Sequence, residues 1–487
     1  MTILPDALLY IDGELRGAEG GRTFDIIGPW TGEVVGKAAD ASPADVDQAI
    51  AAARRAFDES DWSTNIQLRV ALVTKLRDLF VANKDRLGQL ARVEAGAALA
   101  AVSRAHVDMA LEGWDDYLRV FPQVEWETDY GPRDTYGFTS IRKAVREPVG
   151  VVGAISPWNV PLYVNVGKVV AALLAGCTVI LKPAPNTPGM GAIFGELAAE
   201  AGFPAGVLQV ITASDPAEAG EMLVTDPRVD LISFTGSTGV GKRIMEKGAA
   251  TLKRVFLELG GKSAKIVLED APDFAREVAQ SMLVFHAGQG CAVQSRLLVP
   301  QSRFEEAKAI LAHAYGAFGE NWGEFDNPGH IMGPVVSARQ QERVLAYVDI
   351  GLAEGATLIA GGKARPDKGT GFFVEPTCFA GTNDMRIARE EIFGPVLVVI
   401  PFADDDDAVR IANDSDYGLG GGVVSADFDR AMAIARRVRT GTMSVNGGMS
   451  IAGDIPFGGY KASGVGREWG REGIEEHLET KLVAWRV

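Results

Sequence analysis

The thiol of Cys291 lies among small residues in Phe285-His-Ala-Gly-Gln-Gly-Cys-Ala-Val-Gln-Ser-Arg296, which would leave the sulfur accessible, as a nucleophile requires. The plainer reading is a buried cysteine packing as a small hydrophobe, and more cysteines do that than react. Glu258 interrupts the apolar run of Phe256-Leu-Glu-Leu-Gly-Gly-Lys262. Burial there would raise its pKa and poise it as a general base, unless it is an edge carboxylate paired with Lys262 or Lys265. Asn159, in Ser156-Pro-Trp-Asn-Val-Pro161, could donate its amide to a developing oxyanion. Lys182 ends the apolar run Thr178–Leu181 and precedes Pro183-Ala-Pro185; it could reach ribose hydroxyls or phosphate, or simply be a solvated strand end. Phe234-Thr-Gly-Ser-Thr-Gly-Val-Gly-Lys242 would open a helix whose N-terminus favours phosphate. It contains G-x-x-x-x-G-K, but Arg243 stands where a P-loop has Ser or Thr for magnesium. His286, five residues before Cys291, raises a cysteine hydrolase as the alternative. A position five back on a helix faces away, however, and the segment before Cys291 (Met282, Leu283, Phe285) reads as an apolar helix.

The elements that must position these groups form an alternating pattern. Val149–Ile155, Thr178–Leu181, Val207–Ile211 and Leu231–Phe234 are Val/Ile/Leu-rich runs. Helix-length segments such as Val164–Ala175 and Met190–Ala201 separate them. This predicts an α/β fold with an open parallel sheet covered on both faces. Ligands of such sheets bind beyond the carboxyl ends of the strands, where Lys182 and the glycine-rich turn fall. A second alternating region runs from about residue 260 past 440. Upstream, Asp12-Gly13 predicts a hairpin, and Ser42-Pro43 with Asp45 predicts a helix start, its face carried by Val46, Ile50, Ala53 and Phe57. Helical spacing recurs at Leu72, Leu76 and Phe80. The last twenty residues, ending Lys481-Leu-Val-Ala-Trp-Arg-Val487, predict a strand paired with another domain or subunit.

Composition narrows the function classes. The 487 residues suggest two to four domains. A net charge of −16, with no compensating basic run, argues against nucleic acid and anionic membrane partners. Cys177, Cys291 and Cys378 give neither a disulfide framework nor a Cys-x-x-Cys metal site. The N-terminus lacks a basic region followed by an apolar stretch, and the uncharged run Pro148–Gly167 carries three prolines and two asparagines. A soluble cytoplasmic protein is expected.

Taken together and in chain order, Pro157-Trp-Asn159, Leu181-Lys-Pro183, Phe234-Thr-Gly-Ser-Thr238, Leu257-Glu-Leu-Gly-Gly-Lys262, Gly288-Gln-Gly-Cys291, Glu391-Ile-Phe-Gly-Pro395, Pro456-Phe-Gly-Gly-Tyr-Lys461 and Ser463-Gly-Val-Gly-Arg-Glu468 resemble the signature blocks of the aldehyde dehydrogenase superfamily. The resemblance implies a Rossmann-like cofactor domain (1–123 and 146–259), an α/β catalytic domain (260–460) and a small β oligomerisation arm (124–145 and 468–487) that builds a homodimer or homotetramer. It implies Cys291 as nucleophile, Glu258 as general base, Asn159 with the Cys291 N–H as oxyanion hole, and Lys168 as a further catalytic residue. For the cofactor it implies Lys182 and Pro185 at the adenosine ribose, and Gly236, Ser237 and Val240 at the pyrophosphate. Glu391 and Phe393 would meet the nicotinamide ribose, with Ile155, Ser156, Trp158, Phe234 and Leu259 around them. NAD is the expected cofactor, and NADP is possible because Pro185 lacks the carboxylate that would repel a 2′-phosphate. Val160, Tyr163, Gly167, Met449, Ile451 and Phe457 would line the substrate passage. A valine at 160 and a glycine at 167 predict a roomy apolar passage for aromatic or long-chain aldehydes, with no arginine nearby to hold a carboxylate. No metal is expected.

Overall fold

In a computed structural model of the chain, which describes residues 3–487, two mostly parallel sheets lie either side of a seam. The eight-stranded sheet runs Glu14–Arg16, Leu9–Ile11, Leu208–Val210, Thr178–Lys182, Val151–Ile155, Leu231–Thr235, Arg254–Glu258 and Gly464–Val465. Its five central strands are parallel, and both flanks are antiparallel. The seven-stranded sheet runs Thr357–Ala360, Thr377–Ala380, Val396–Phe402, Arg296–Pro300, Ala264–Val267, Gly421–Val424 and Ser444–Val445. The α/β expectation therefore holds, and the four Val/Ile/Leu-rich runs between residues 149 and 234 are strands, within two residues at either end, whereas the terminal strand is confined to Leu478–Arg486.

Local chemistry accounts for the supporting elements. Asp12 and Gly13 both take positive φ in the hairpin turn joining Leu9–Ile11 to Glu14–Arg16. Ser42 and Asp45 form a reciprocal capping box on helix Pro43–Glu59. Helix Pro161–Ala175 starts on a proline, ends at left-handed Gly176, and is buried along all 15 residues. Such all-round burial makes it a core helix, and Lys168 is its one charged residue.

A third sheet pairs Glu127–Thr135, Phe138–Pro148 and Leu478–Arg486, with the middle strand between the other two. It is narrower at the C-terminal end than the resemblance implied. Residues 470–475 form a helix against Pro161–Ala175, and pairing begins only at Leu478. The cause is Trp469, fully buried between Tyr117 and Tyr163, which draws this segment into the core.

The segment before Cys291 also departs from expectation. Helix Phe274–Ala279 stops early, and Met282–Phe285 leads into a short 3₁₀ turn, Phe285–Gly288. His286, Ala287 and Gly288 take positive φ there. Glycine is required at 288, where a Cβ would sit 2.2 Å from the Gly394 carbonyl oxygen.

Candidate active site

Strand Arg254–Glu258 and the glycines after it bring Glu258 and Cys291 together across the seam. A Cβ on Gly261 would lie 2.4 Å from the Cys291 carbonyl, so the two chains pass at backbone distance. Cys291 is free and partly buried. Burial, and then the negative charges of Glu258 and Glu391, push its thiol up to about 12. It therefore needs a proton acceptor to react as thiolate.

Glu258 is 3% exposed, and neither carboxylate oxygen has a hydrogen-bond partner. Burial raises its pKa well above the usual carboxylate value, and the like charge of Glu468 adds to this. Lys168 and Arg467 oppose it. The paired-carboxylate alternative fails: Lys265 bonds to Glu277, and the buried Lys262 amine has no partner. Lys168 donates to Ser233 Oγ at 3.1 Å and to Glu468 Oε1 at 3.2 Å, in an ion pair sealed from solvent. A buried pair of this kind is costly to break, because either partner alone is an uncompensated charge.

Asn159 Nδ2 donates to the Gln289 carbonyl at 3.0 Å. Gln289 is itself fixed: its Nε2 donates to His286 O, and its Oε1 accepts from Val336 N–H. This holds the amide of Asn159 beside the Cys291 loop and leaves its second N–H unused by that bond. His286 is buried among apolar and aromatic neighbours. Its ring meets His106 edge-on at 4.7 Å, and burial pulls its pKa down to about 4. The cysteine–histidine alternative is thereby left with a weak base.

The cofactor candidates collect at the strand ends. Lys182 is 1% exposed and makes no ion pair among the described residues. Burial takes its amine down to about 8 against the opposing charge of Asp215. Ser156 N–H donates to Lys182 O, Ile155 is buried beside it, and half-buried Pro185 follows on the same turn. Ser237 caps helix Thr238–Gly248, leaving Val240 exposed on its first turn. Leu259 packs below that turn against Gly241, and Gly236 is bonded to Glu258 O and packed on Phe234. Glu391 accepts from Gly261 N–H at 2.8 Å. Phe393, at φ +61°, meets Trp158 edge-on at 5.3 Å. Arg343 and Gln340 of helix Ala338–Ala353 hold the backbone of Glu391–Phe393. Bare strand ends, a buried amine and a capped helix N-terminus suit a dinucleotide. No group of three or more His, Cys, Asp or Glu able to hold a metal occurs among the described residues.

The substrate candidates fare unevenly. Val160 and Ile451 are half-buried, Phe457 and Tyr163 are buried, and Met449 is 75% exposed. Gly167 does not open a passage: a Cβ there would meet Glu468 at 3.0 Å and Trp469 at 3.2 Å. The indole of Trp469 occupies the room that Gly113 and Gly167 leave. Arg119, absent from the segments considered in sequence, reaches the 449–454 loop from helix Met109–Val120. Asp116 and Asp454 already neutralise it. Sequence reasoning also missed Glu468, Gln289 and Trp469. The first lies 300 positions from Lys168, and no local pattern joins them.

A thiol, an unpartnered carboxyl and an amide donor converge at the seam of two α/β sheets, an arrangement able to form and cleave a covalent thiol adduct. Residues 16–483 match the Aldehyde dehydrogenase family. The chain is 40% identical over 482 residues to a 3-succinoylsemialdehyde-pyridine dehydrogenase of a Pseudomonas species, covering 97% of each. It is 40% identical over 478 residues to a mitochondrial aldehyde dehydrogenase of Leishmania tarentolae, covering 98% of this chain and 94% of that one. Among solved structures, it superposes with TM-score 0.91 and 38% identity on an aldehyde dehydrogenase C mutant of Pseudomonas syringae crystallised with NAD+ and octanal, covering 98% and 96% of the two chains. It superposes with TM-score 0.93 and 35% identity on a betaine aldehyde dehydrogenase of Staphylococcus aureus crystallised with NAD+, covering 98% and 94%. The chain belongs to the aldehyde dehydrogenase family.

Proposed function

We propose that this enzyme oxidises an uncharged aromatic or long-chain aldehyde to its carboxylic acid with NAD, through a thioester on Cys291. Aldehyde oxidation with NAD is the activity of the family and of its NAD-bound relatives. Cys291 loses its proton to solvent water, and the thiolate attacks the carbonyl carbon. The oxyanion receives the free N–H of Asn159 and the backbone N–H of Cys291; one such donor is worth about 3–4 kcal/mol of barrier. Bound NAD supplies the hydride acceptor, held by Lys182, Ser237 and Glu391. Glu258 then takes a proton from the water that cleaves the thioester, and Lys168 with Glu468 lies behind it as the charge partner for that proton.

The observation that carries this reading is Glu258: a buried carboxyl with no hydrogen bond, close enough to raise the Cys291 thiol. The apolar lining of Val160, Ile451 and Phe457 supports an uncharged substrate, and the spent charge of Arg119 gives a carboxylate no anchor. Pro185 supports tolerance of NADP. We assign the cofactor and catalytic units to the two large sheets. The third sheet, whose terminal strand exposes Leu482, Val483 and Trp485, is assigned to homo-oligomerisation. Three free cysteines suit a reducing cytoplasm, and no helix among the described residues is long and apolar enough to cross a membrane. An aldehyde panel monitored by nicotinamide absorbance tests the reading. Coupled reduction of NAD with benzaldehyde or octanal supports it; aldehyde loss without reduction overturns it.

A further inference from the structure

In the hydrophobic cluster against which Cys291 packs, two buried polar atoms have no partner. Tyr163 is 6% exposed, and its hydroxyl bonds to nothing; Trp469 is fully buried, and its indole Nε1 is equally unpaired. Their rings lie 4.3 Å apart, centre to centre. The arrangement is rigid. Tyr117 stacks on the indole at 4.8 Å, accepts the Trp469 backbone N–H at 3.0 Å, and donates its own proton to Gly167 O at 3.1 Å. Gly113 and Gly167 leave the space the indole fills, and Trp469 is held at φ +67°, a conformation that tryptophan adopts rarely.

Tyr163 is on the first turn of helix Pro161–Ala175, three residues after half-buried Val160 and the loop carrying Asn159. Among the charges it senses are Cys291, Glu468 and Asp116. Val160 and Tyr163, three positions apart, share a side of that turn, and Val160, Cys291 and Ile451 all pack against the cluster that holds Tyr163. A buried donor without an acceptor is a standing cost, relieved when a ligand supplies one. A site built this way discriminates against the analogue that lacks the acceptor.

Resting on the reading above, we propose that Tyr163 Oη and Trp469 Nε1 form a hydrogen-bonding station for an acceptor on the substrate. The preferred class is then aromatic aldehydes carrying an ether, hydroxyl, carbonyl or ring-nitrogen acceptor, ahead of plain alkyl or aryl aldehydes. The indole, flanked by both tyrosines, offers an edge, which suits an in-plane acceptor on an aromatic ring.

The experiment compares kcat/KM for 2-, 3- and 4-methoxybenzaldehyde, each divided by kcat/KM for benzaldehyde, in the wild type, Tyr163→Phe and Trp469→Phe. Using a ratio cancels general loss of activity. Tyr163→Phe removes one unpaired oxygen and no packing, so it keeps the test valid if Trp469→Phe fails to fold. For at least one isomer, the ratio should fall about tenfold in Tyr163→Phe. The Ki of anisole relative to toluene, both competing with benzaldehyde, should rise by a similar factor, a change that a purely structural tyrosine would not produce. Ratios unchanged within twofold for all three isomers would overturn the station, even with benzaldehyde turnover intact. Failure of the wild type to reduce NAD with any of these aldehydes would overturn the catalytic reading instead.

Discussion

Two regions of this molecule each bury a carboxyl completely, and they treat it in opposite ways. Glu94, on helix Lys84–Ala95, points at the start of helix Pro188–Ala201 and accepts from the N–H groups of Gly189 at 2.8 Å and Met190 at 3.0 Å. Burial carries its pKa up to about 8, and those two bonds hold it back. Glu258, at the seam, is as deeply buried, but neither oxygen is bonded. Burial alone thus does not set a carboxyl's state: Glu94 is buried and bonded, Glu258 buried and unbonded. Unpaired buried atoms also occur elsewhere, at Trp114 Nε1, Gln209 Nε2 and both ring nitrogens of His106. Away from the seam, arginines such as Arg430 and Arg365 sit in multiple ion pairs near solvent. At the seam, Lys262, Glu258, Tyr163 and Trp469 all keep unpaired polar atoms.

The sharpest break in this comparison comes from the thiol. Cys291→Ala should lower aldehyde oxidation by about 10⁴-fold or more, since no other group forms the adduct. NAD affinity, measured by titration calorimetry, should stay near wild type. Comparable turnover in the variant would remove Cys291 from the chemistry.

How far the sequence revealed this follows from the range of each interaction. The strands, the capping box at Ser42 and the hairpin at Asp12-Gly13 were legible because period, cap and turn are set within a few residues. Cys291, Glu258 and Asn159 were nameable because each sits in a dense local motif. What remained hidden depends on packing between distant segments. Trp469 fills the space opposite Gly167, and Glu468 pairs with Lys168 across 300 positions. The glycine read as an open wall was read alone, and its partner was elsewhere. The helix expected before Cys291 gave way because Gln289 and Gly288 tie that backbone to Val336 and Gly394 instead.

The next effect is on stability. Lys168→Met leaves Glu468 buried without its cation and should cost about 3–5 kcal/mol in urea unfolding. A loss under ~1 kcal/mol would show that the pair is not sealed as described. Glu94→Gln should cost about 1–3 kcal/mol by leaving a buried N–H poorly bonded, with kcat/KM per folded molecule retained. If it instead abolished activity without loss of stability, the contrast with Glu258 would collapse.

The smallest effect concerns acid. His106 and His286 are both held neutral, their pKa values pulled below the usual 6.5 mainly by burial. Below 6.5 the unfolded chain takes up protons that the native His286 refuses until about 4. Stability should therefore fall as pH drops through that window. His286→Asn keeps a residue that tolerates positive φ and should flatten the slope of the unfolding midpoint against pH. An unchanged slope would assign the acid sensitivity to other groups.

The role of Glu258 is tested most directly by pre-steady-state reduction of NAD in Glu258→Gln with benzaldehyde. The account predicts a burst of about one reduced cofactor per active site, at near the wild-type rate, and then a slow steady state as the Cys291 thioester waits for water. A burst slowed as much as the steady state, with no acyl-enzyme accumulating, would contradict it and place Glu258 before hydride transfer.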